Sequence, residues 1–196
     1  DEALSKISLT SDDTLYVLGD MIDRGPDPIG VINLVRSLPN ARVLKGNHEQ
    51  IMLDAIIGQD PLDAETWDIN GGWTTRQQLN EMEFEAYEEL VRWAAALPLY
   101  AVVETAERPY LLVHAGIQTE AARAFLLEHG VDCGDGRGAA DADSELLQQM
   151  LAVQSSDDLL WIRHGYWDAP TGLLSAEGKG PVVVSGHTPT VSLGRY

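Results

Sequence analysis

Asp20, Asp23 and Arg24 stand within five residues of one another, directly after the apolar run Thr14 to Leu18 and its closing Gly19. Carboxylates placed this way can ligate a cation or orient an imidazole. An arginine beside them offers a planar fork that suits phosphate oxygens. The arrangement recurs along the chain. Arg42–Leu44 leads through Lys45 and Gly46 into Asn47 and His48. Leu111–Val113 leads into His114, Ala115 and Gly116, and Val182–Val184 leads through Ser185 and Gly186 into His187. Each short apolar run delivers a metal-ligating residue type next to a glycine. A set of Asp, Asn and His fits hard or borderline divalent cations such as manganese, iron or zinc. Two such ions about 3.5–4 Å apart hold a shared hydroxide and polarise a phosphoryl group for in-line attack. His48 is placed to protonate the leaving oxygen, Asp23 to hold its ring, and Arg24 to offset charge on the phosphoryl oxygens.

Taken singly, these residues have plainer readings. Asp20 and Asp23 suit turns, Asn47 suits a left-handed turn after Gly46, and an isolated His114 reads as a core histidine. Their recurrence at four run ends favours the site. The runs themselves predict strands at 14–18, 41–44, 100–104, 110–113 and 181–184. Helical patterns fall at 28–38, with Asp27 as cap and Pro28 in the first turn, at 48–57, at 119–129 and at 143–154. A longer, broken helical stretch covers 74–96. Strands alternating with helices predict an α/β domain, and open α/β sheets bind ligands at strand carboxyl ends. The stretch 130–143 reads as a mobile loop, with Cys133 a surface residue on it. Trp67 and Trp73 either line a substrate groove or pack in the core, and core packing is the expectation. Trp161 and Trp167 are expected to be buried. His129 and His164 are read as surface or helix-end histidines, Glu49 as structural, and the acids at 81, 83, 85, 88 and 89 as a solvated face.

The chain has 196 residues with 31 acidic and 13 basic ones, a formal net charge of −18. That balance argues against a nucleic-acid surface, and no apolar run reaches the roughly 20 residues that span a bilayer. A single cysteine excludes an internal disulfide framework and fits a reducing compartment, so a cytoplasmic protein is expected; a monomer is expected as well, although no stretch of the sequence signals an oligomeric state.

The motifs GDMIDRG (19–25), GNHEQ (46–50), HAG (114–116), WIR (161–163) and GHTP (186–189) together resemble the calcineurin-like metallophosphatases. More narrowly they resemble the phosphoprotein phosphatase family in its bacterial and phage lambda-like branch. NGGWTTRQQL (70–79) and LPLY (97–100) are similar to that branch as well. The resemblance implies a β-sandwich flanked by helices, with two divalent metal ions, manganese first and iron or zinc as alternatives. It implies that Asp20 bridges the metals and that Asn47, His114 and His187 ligate the second. It makes His48 the general acid, oriented by Asp23, with Arg24 and Arg163 clamping the substrate phosphate. The activity implied is hydrolysis of phosphoserine and phosphothreonine in proteins, or of small phosphoesters, by direct attack of the metal-held hydroxide. Hydrolysis of diadenosine tetraphosphate is the alternative in the same fold, and a non-catalytic binding module with a decayed site is the alternative of another class. The family's opening G-D-x-H-G motif has no counterpart here. A single catalytic domain over 1–196, truncated at both ends and without the first and the C-terminal strands, is therefore expected.

Overall fold

The computed structural model describes residues 2–58 and 60–189. The expectations about the two ends of the chain, at Asp1 and Tyr196, fall on positions outside the described residues. A short helix α1 (Glu2–Ile7) leads to strand β1 (Leu15–Val17). Helix α2 (Pro28–Ser37) then crosses to β2 (Ala41–Val43), which pairs parallel to β1 with Leu15 opposite Ala41 and Val17 opposite Val43. Asp27 starts α2 as the sequence suggests, its side chain accepting from the Gly30 N–H at 3.0 Å, and Pro28 has no N–H for the first turn to waste. Ile32 and Val35 on the inner face of α2 are buried.

Helix α3 (Asn47–Leu53) runs on into a π-helical turn at Asp54–Gly58. Helix α4 (Pro61–Ile69) was not anticipated from periodicity, although Asp60 and Pro61 form a standard start signal: Asp60 accepts from the Leu62 N–H at 2.9 Å. The broken stretch resolves into α5 (Trp73–Asn80) and α6 (Phe84–Ala95), interrupted at 81–83. Strands β3 (Tyr100–Glu104) and β4 (Pro109–Val113) form an antiparallel hairpin, and β5 (Val182–Val184) adds to β4 in parallel, with Leu111 opposite Val183. Between β4 and β5 lie α7 (Thr119–Glu128), α8 (Ser144–Ala152) and α9 (Ser156–Trp161). Helix α9 was also missed; it is short, and its signal is the Ser155 cap, which accepts from the Asp158 N–H at 3.0 Å.

Two apolar cores result. One packs Ile32, Met52, Trp67, Leu79 and Leu90 around the first sheet. The other packs Leu111, Val113, Leu126, Leu147 and Met150 around the second. Two small sheets with helices packed on each make a mixed α/β arrangement, as expected.

The stretch 130–143 is not the loose surface loop the sequence suggests. Cys133, Ala139 and Ala142 are buried in the second core. Ala139 N–H bonds to Leu173 O at 2.7 Å and Ala176 N–H to Gly136 O at 2.6 Å. Small residues permit this approach: a Cβ on Gly138 would lie 2.4 Å from Ser175 N. Burial correspondingly pushes the Cys133 thiol up from its ordinary value. Trp161 is likewise not buried; it is 40% exposed, because only Leu159 and Leu160 of α9 turn inward.

Candidate metal and phosphate site

β1, β2, β4 and β5 deliver their carboxyl ends to one place, and the join between the sheets is itself a side-chain contact. His114, just past β4, places its Nδ1 2.5 Å from Leu18 O, just past β1. Two glycine-containing turns meet there as well. A Cβ on Gly19 would lie 2.3 Å from Gly46 N, and one on Gly46 would lie 2.4 Å from Asp20 N. Gly19 also has φ +87°, which side chains other than glycine's avoid. Gly19→Ala is therefore predicted to lower Tm by roughly 5 °C or more, at 2–4 °C per kcal/mol for a chain this size; a melt within a degree of wild type would contradict the close backbone packing.

Glu49 ties these turns together. Its fully buried carboxylate accepts from three backbone N–H groups: Asp20 at 2.8 Å, Met21 at 2.7 Å and Gly46 at 2.8 Å. Burial pushes this carboxyl up from its ordinary value, with the three N–H donors pulling against the shift. The result is a rigid base under Asp20 and Asn47. The backbone above it is strained: Asp20, Asp23, Arg24 and His187 all have φ between 56° and 69°, a region that costs non-glycine residues of order 1–3 kcal/mol and that clusters at functional sites.

The ligand-type atoms converge. His114 Nε2 lies 2.9 Å from Asn47 Oδ1, 3.2 Å from His187 Nδ1 and 3.4 Å from Asp20 Oδ1, and His187 Nδ1 lies 2.9 Å from Asn47 Oδ1. Asp20, His114 and His187 each offer an atom within 4.8 Å of the others. The carbonyl of Leu18 takes the Nδ1–H of His114, so His114 Nε2 presents a lone pair. A carboxylate oxygen, an amide oxygen and that lone pair then face one another. His187 Nδ1–H supplies a proton among these acceptors, and the set of carboxylate, amide and imidazole atoms is one that fits a divalent cation.

His187 is held from its other side. Arg163 Nε donates to His187 Nε2 at 2.9 Å. Burial, His114 and the nearby Arg163 charge together lower the His187 pKa from its ordinary 6.5 to about 4. The folded ring thus binds its proton more weakly than the unfolded one. Stability of the metal-stripped protein is predicted to fall as pH drops from 6.5 towards 4. Denaturant midpoints across that range should show the slope, and His187→Gln should flatten it; an unchanged slope would place its source elsewhere.

His48 sits beside this cluster, its backbone N–H bonded to Asp20 Oδ1 at 3.1 Å. Its Nδ1 lies 2.6 Å from Asp23 Oδ2. Asp23 is buried and accepts further bonds from Thr75 Oγ1 at 2.6 Å and Trp67 Nε1 at 3.1 Å. With those donors Asp23 is placed to accept from His48 Nδ1–H, which turns Nε2 to the other side of the ring. Trp67 and Thr75 were not recognised as site supports from sequence. Trp67 is buried as expected, but its indole N–H has a polar task, and Thr75 lies inside the NGGWTTRQQL segment whose resemblance was the available signal. Arg24 is exposed, and its hydrogen bonds run to the turn before α5: Nε to Asn70 O at 3.2 Å and backbone N to Gly71 O at 3.1 Å. Asp20, Asn47, His114, His187 and Arg163 thus form one contact network, with His48 and Asp23 joined to it. Arg24 stands at its border, with its bonds made to the 70–71 turn. His129 and His164 are exposed, as expected.

Strand ends that bring Asp, Asn and two His within 4.8 Å or less of one another, with an Asp-backed histidine and two arginines, fit the metallophosphoesterase class. The chain belongs to the Calcineurin-like phosphoesterase family, which it matches over residues 2–195. A symmetrical bis(5'-nucleosyl)-tetraphosphatase of Aeromonas hydrophila is 29% identical over 165 residues, 83% of this chain and 50% of that protein. Its counterpart in Erwinia tasmaniensis is 33% identical over 107 residues, 54% of this chain and 34% of that protein. Serine/threonine-protein phosphatase 1 of Salmonella typhimurium is 36% identical over 104 residues, 53% of this chain and 45% of that protein. The chain spans about half the length, or less, of these relatives. Among the described residues, no helix is long and apolar enough to cross a membrane.

Proposed function

We propose that this protein is a metal-dependent phosphomonoesterase acting on phosphoserine and phosphothreonine in proteins. The observation that carries the phosphoesterase reading is the convergence of Asp20, Asn47, His114 and His187 beside the His48–Asp23 pair. Asp20, Asn47, His114 and His187 would hold divalent metal, manganese first, and bound metal would supply Lewis-acid polarisation of the phosphate and an activated water. His48 Nε2 delivers a proton to the leaving oxygen. Asp23 fixes the ring by accepting from Nδ1 and stabilises the imidazolium from which that proton leaves. Arg24 and Arg163 hold the phosphate oxygens through their forks. For His187 Nδ1 to act as a ligand, its proton must sit on Nε2, where Arg163 Nε now donates. With His187 Nδ1 given to a metal, the Arg163 guanidinium would be released to hold the phosphate. The acidic surface supports a peptide substrate over a polyanion.

A second reading, hydrolysis of a bis-nucleosyl tetraphosphate, is favoured by the names of the Aeromonas and Erwinia relatives. The test is a comparison of kcat/KM on a phosphoserine peptide and on diadenosine tetraphosphate, with the full-length, manganese-loaded protein. The proposal expects the peptide to be the better substrate. Faster turnover of the dinucleotide would reverse the order of the two readings.

A further inference from the structure

The Thr75 hydroxyl is used twice on one residue. Its Oγ1 accepts from the Asp23 backbone N–H at 3.0 Å and donates to Asp23 Oδ1 at 2.6 Å. Trp67 Nε1 reaches both oxygens of the same carboxylate, at 3.1 Å and 3.2 Å. Thr75 and Trp67 are both buried. The same stretch of chain holds the next residue. Arg24 donates from its backbone N–H to Gly71 O at 3.1 Å and from Nε to Asn70 O at 3.2 Å. Asp23 and Arg24 have φ of 69° and 59°, a conformation that non-glycine residues keep only where their surroundings over-determine it. The bonds from their two backbone N–H groups to Thr75 and Gly71 supply that constraint. The donors also order the protons. An indole N–H only donates, and Thr75 has a single proton, which goes to Oδ1. Oδ2, shared with the indole, is left to His48 Nδ1 at 2.6 Å.

We propose that Thr75, with Trp67, is a positioning residue for the general acid: it holds the Asp23 carboxylate at the angle from which Oδ2 aims the His48 ring. This rests on the phosphoesterase reading above, and not on the choice between peptide and dinucleotide. Thr75 acts through Asp23 and His48. Without its hydroxyl the carboxylate loses a restraint on rotation about the Cβ–Cγ bond, and the ring bonded to Oδ2 turns with it. The candidate metal ligands are seated on other groups. Asp20 N–H and Gly46 N–H rest on Glu49, and His114 Nδ1–H rests on Leu18 O. Loss of the Thr75 hydroxyl should therefore fall on proton delivery to the leaving oxygen and spare cation affinity.

The test compares the full-length, manganese-loaded protein with its Thr75→Val and Thr75→Ser variants on two esters. Phenyl phosphate has a poor leaving group that needs a proton, and p-nitrophenyl phosphate has a good one that does not. Thr75→Val should lower kcat on phenyl phosphate about 10–100-fold, the scale of misplacing a reacting group by about 1 Å. KM and the manganese concentration for half-maximal rate should hardly change. The loss on p-nitrophenyl phosphate should be several-fold smaller. Thr75→Ser keeps the hydroxyl and should restore most of the rate. Added to His48→Asn, Thr75→Val should lose nothing further, because residues that act as a unit do not add. Trp67→Phe removes the other donor and should give the same split between the esters; it serves in place of Thr75→Val if that protein does not accumulate folded. A merely structural role would lower the melting temperature and slow both esters alike. Equal losses on the two esters, a further loss in the His48→Asn background, or an unchanged kcat overturns the assignment. If the wild type turns over neither ester, the phosphoesterase reading itself falls, and the assignment with it.

Discussion

His48→Asn is expected to lower turnover of an alkyl phosphate ester by roughly 10²–10⁴-fold, the usual worth of a positioned general acid. The fold and the cation affinity should be unaffected. The substitution leaves the backbone N–H that bonds Asp20 Oδ1 and removes only the ring that Asp23 orients at 2.6 Å. The size of the loss should depend on the leaving group. An alkoxide needs a proton as it departs, whereas p-nitrophenolate leaves well without one, so the variant should recover much of its rate on p-nitrophenyl phosphate. Steady-state kinetics over a series of leaving groups reads this directly. An equal loss for every leaving group would assign His48 a positioning role, and no loss would remove it from the mechanism.

Glu49→Ala is the second large effect, and it acts on the scaffold. The carboxylate satisfies the N–H groups of Asp20, Met21 and Gly46 while fully buried. Orphaning a buried polar group costs about 1–3 kcal/mol, so three orphans approach the 5–15 kcal/mol that holds a typical domain folded. The alanine variant should unfold at far lower denaturant, or fail to accumulate as folded protein. Glu49→Gln should fall between, since its amide oxygen can take two of the three donors and its NH2 group then opposes the third. Urea midpoints in the order wild type, Gln, Ala are the prediction; an Ala midpoint equal to wild type would show that the three bonds carry no weight.

The site was legible because its parts are short and local. An apolar run, a glycine and a ligand residue specify a strand, a tight turn and a side chain at the strand end. Repeated at Asp20, Asn47, His114 and His187, that grammar located one place in the fold without any knowledge of the long-range contacts. What was not legible depended on those contacts. Thr75 and Trp67 reach Asp23 across about 50 residues of sequence, and nothing in their types announces it. Glu49 reads from sequence only as structural; its three bonds exist because the turns at Gly19 and Gly46 pack against each other. The stretch 130–143 has a loop's composition, yet small residues let its backbone bury against 173–176. Trp73 failed in the opposite sense: an aromatic residue expected in the core stands exposed at the start of α5.

The most direct test of the central claim is manganese dependence of p-nitrophenyl phosphate hydrolysis by the full-length protein, with Asp20→Asn measured beside it. The account predicts turnover that saturates with manganese, vanishes on chelation, and is lost in the variant while the variant stays folded. Turnover that survives chelation, or full activity in Asp20→Asn, would contradict a metal site built on Asp20, Asn47, His114 and His187.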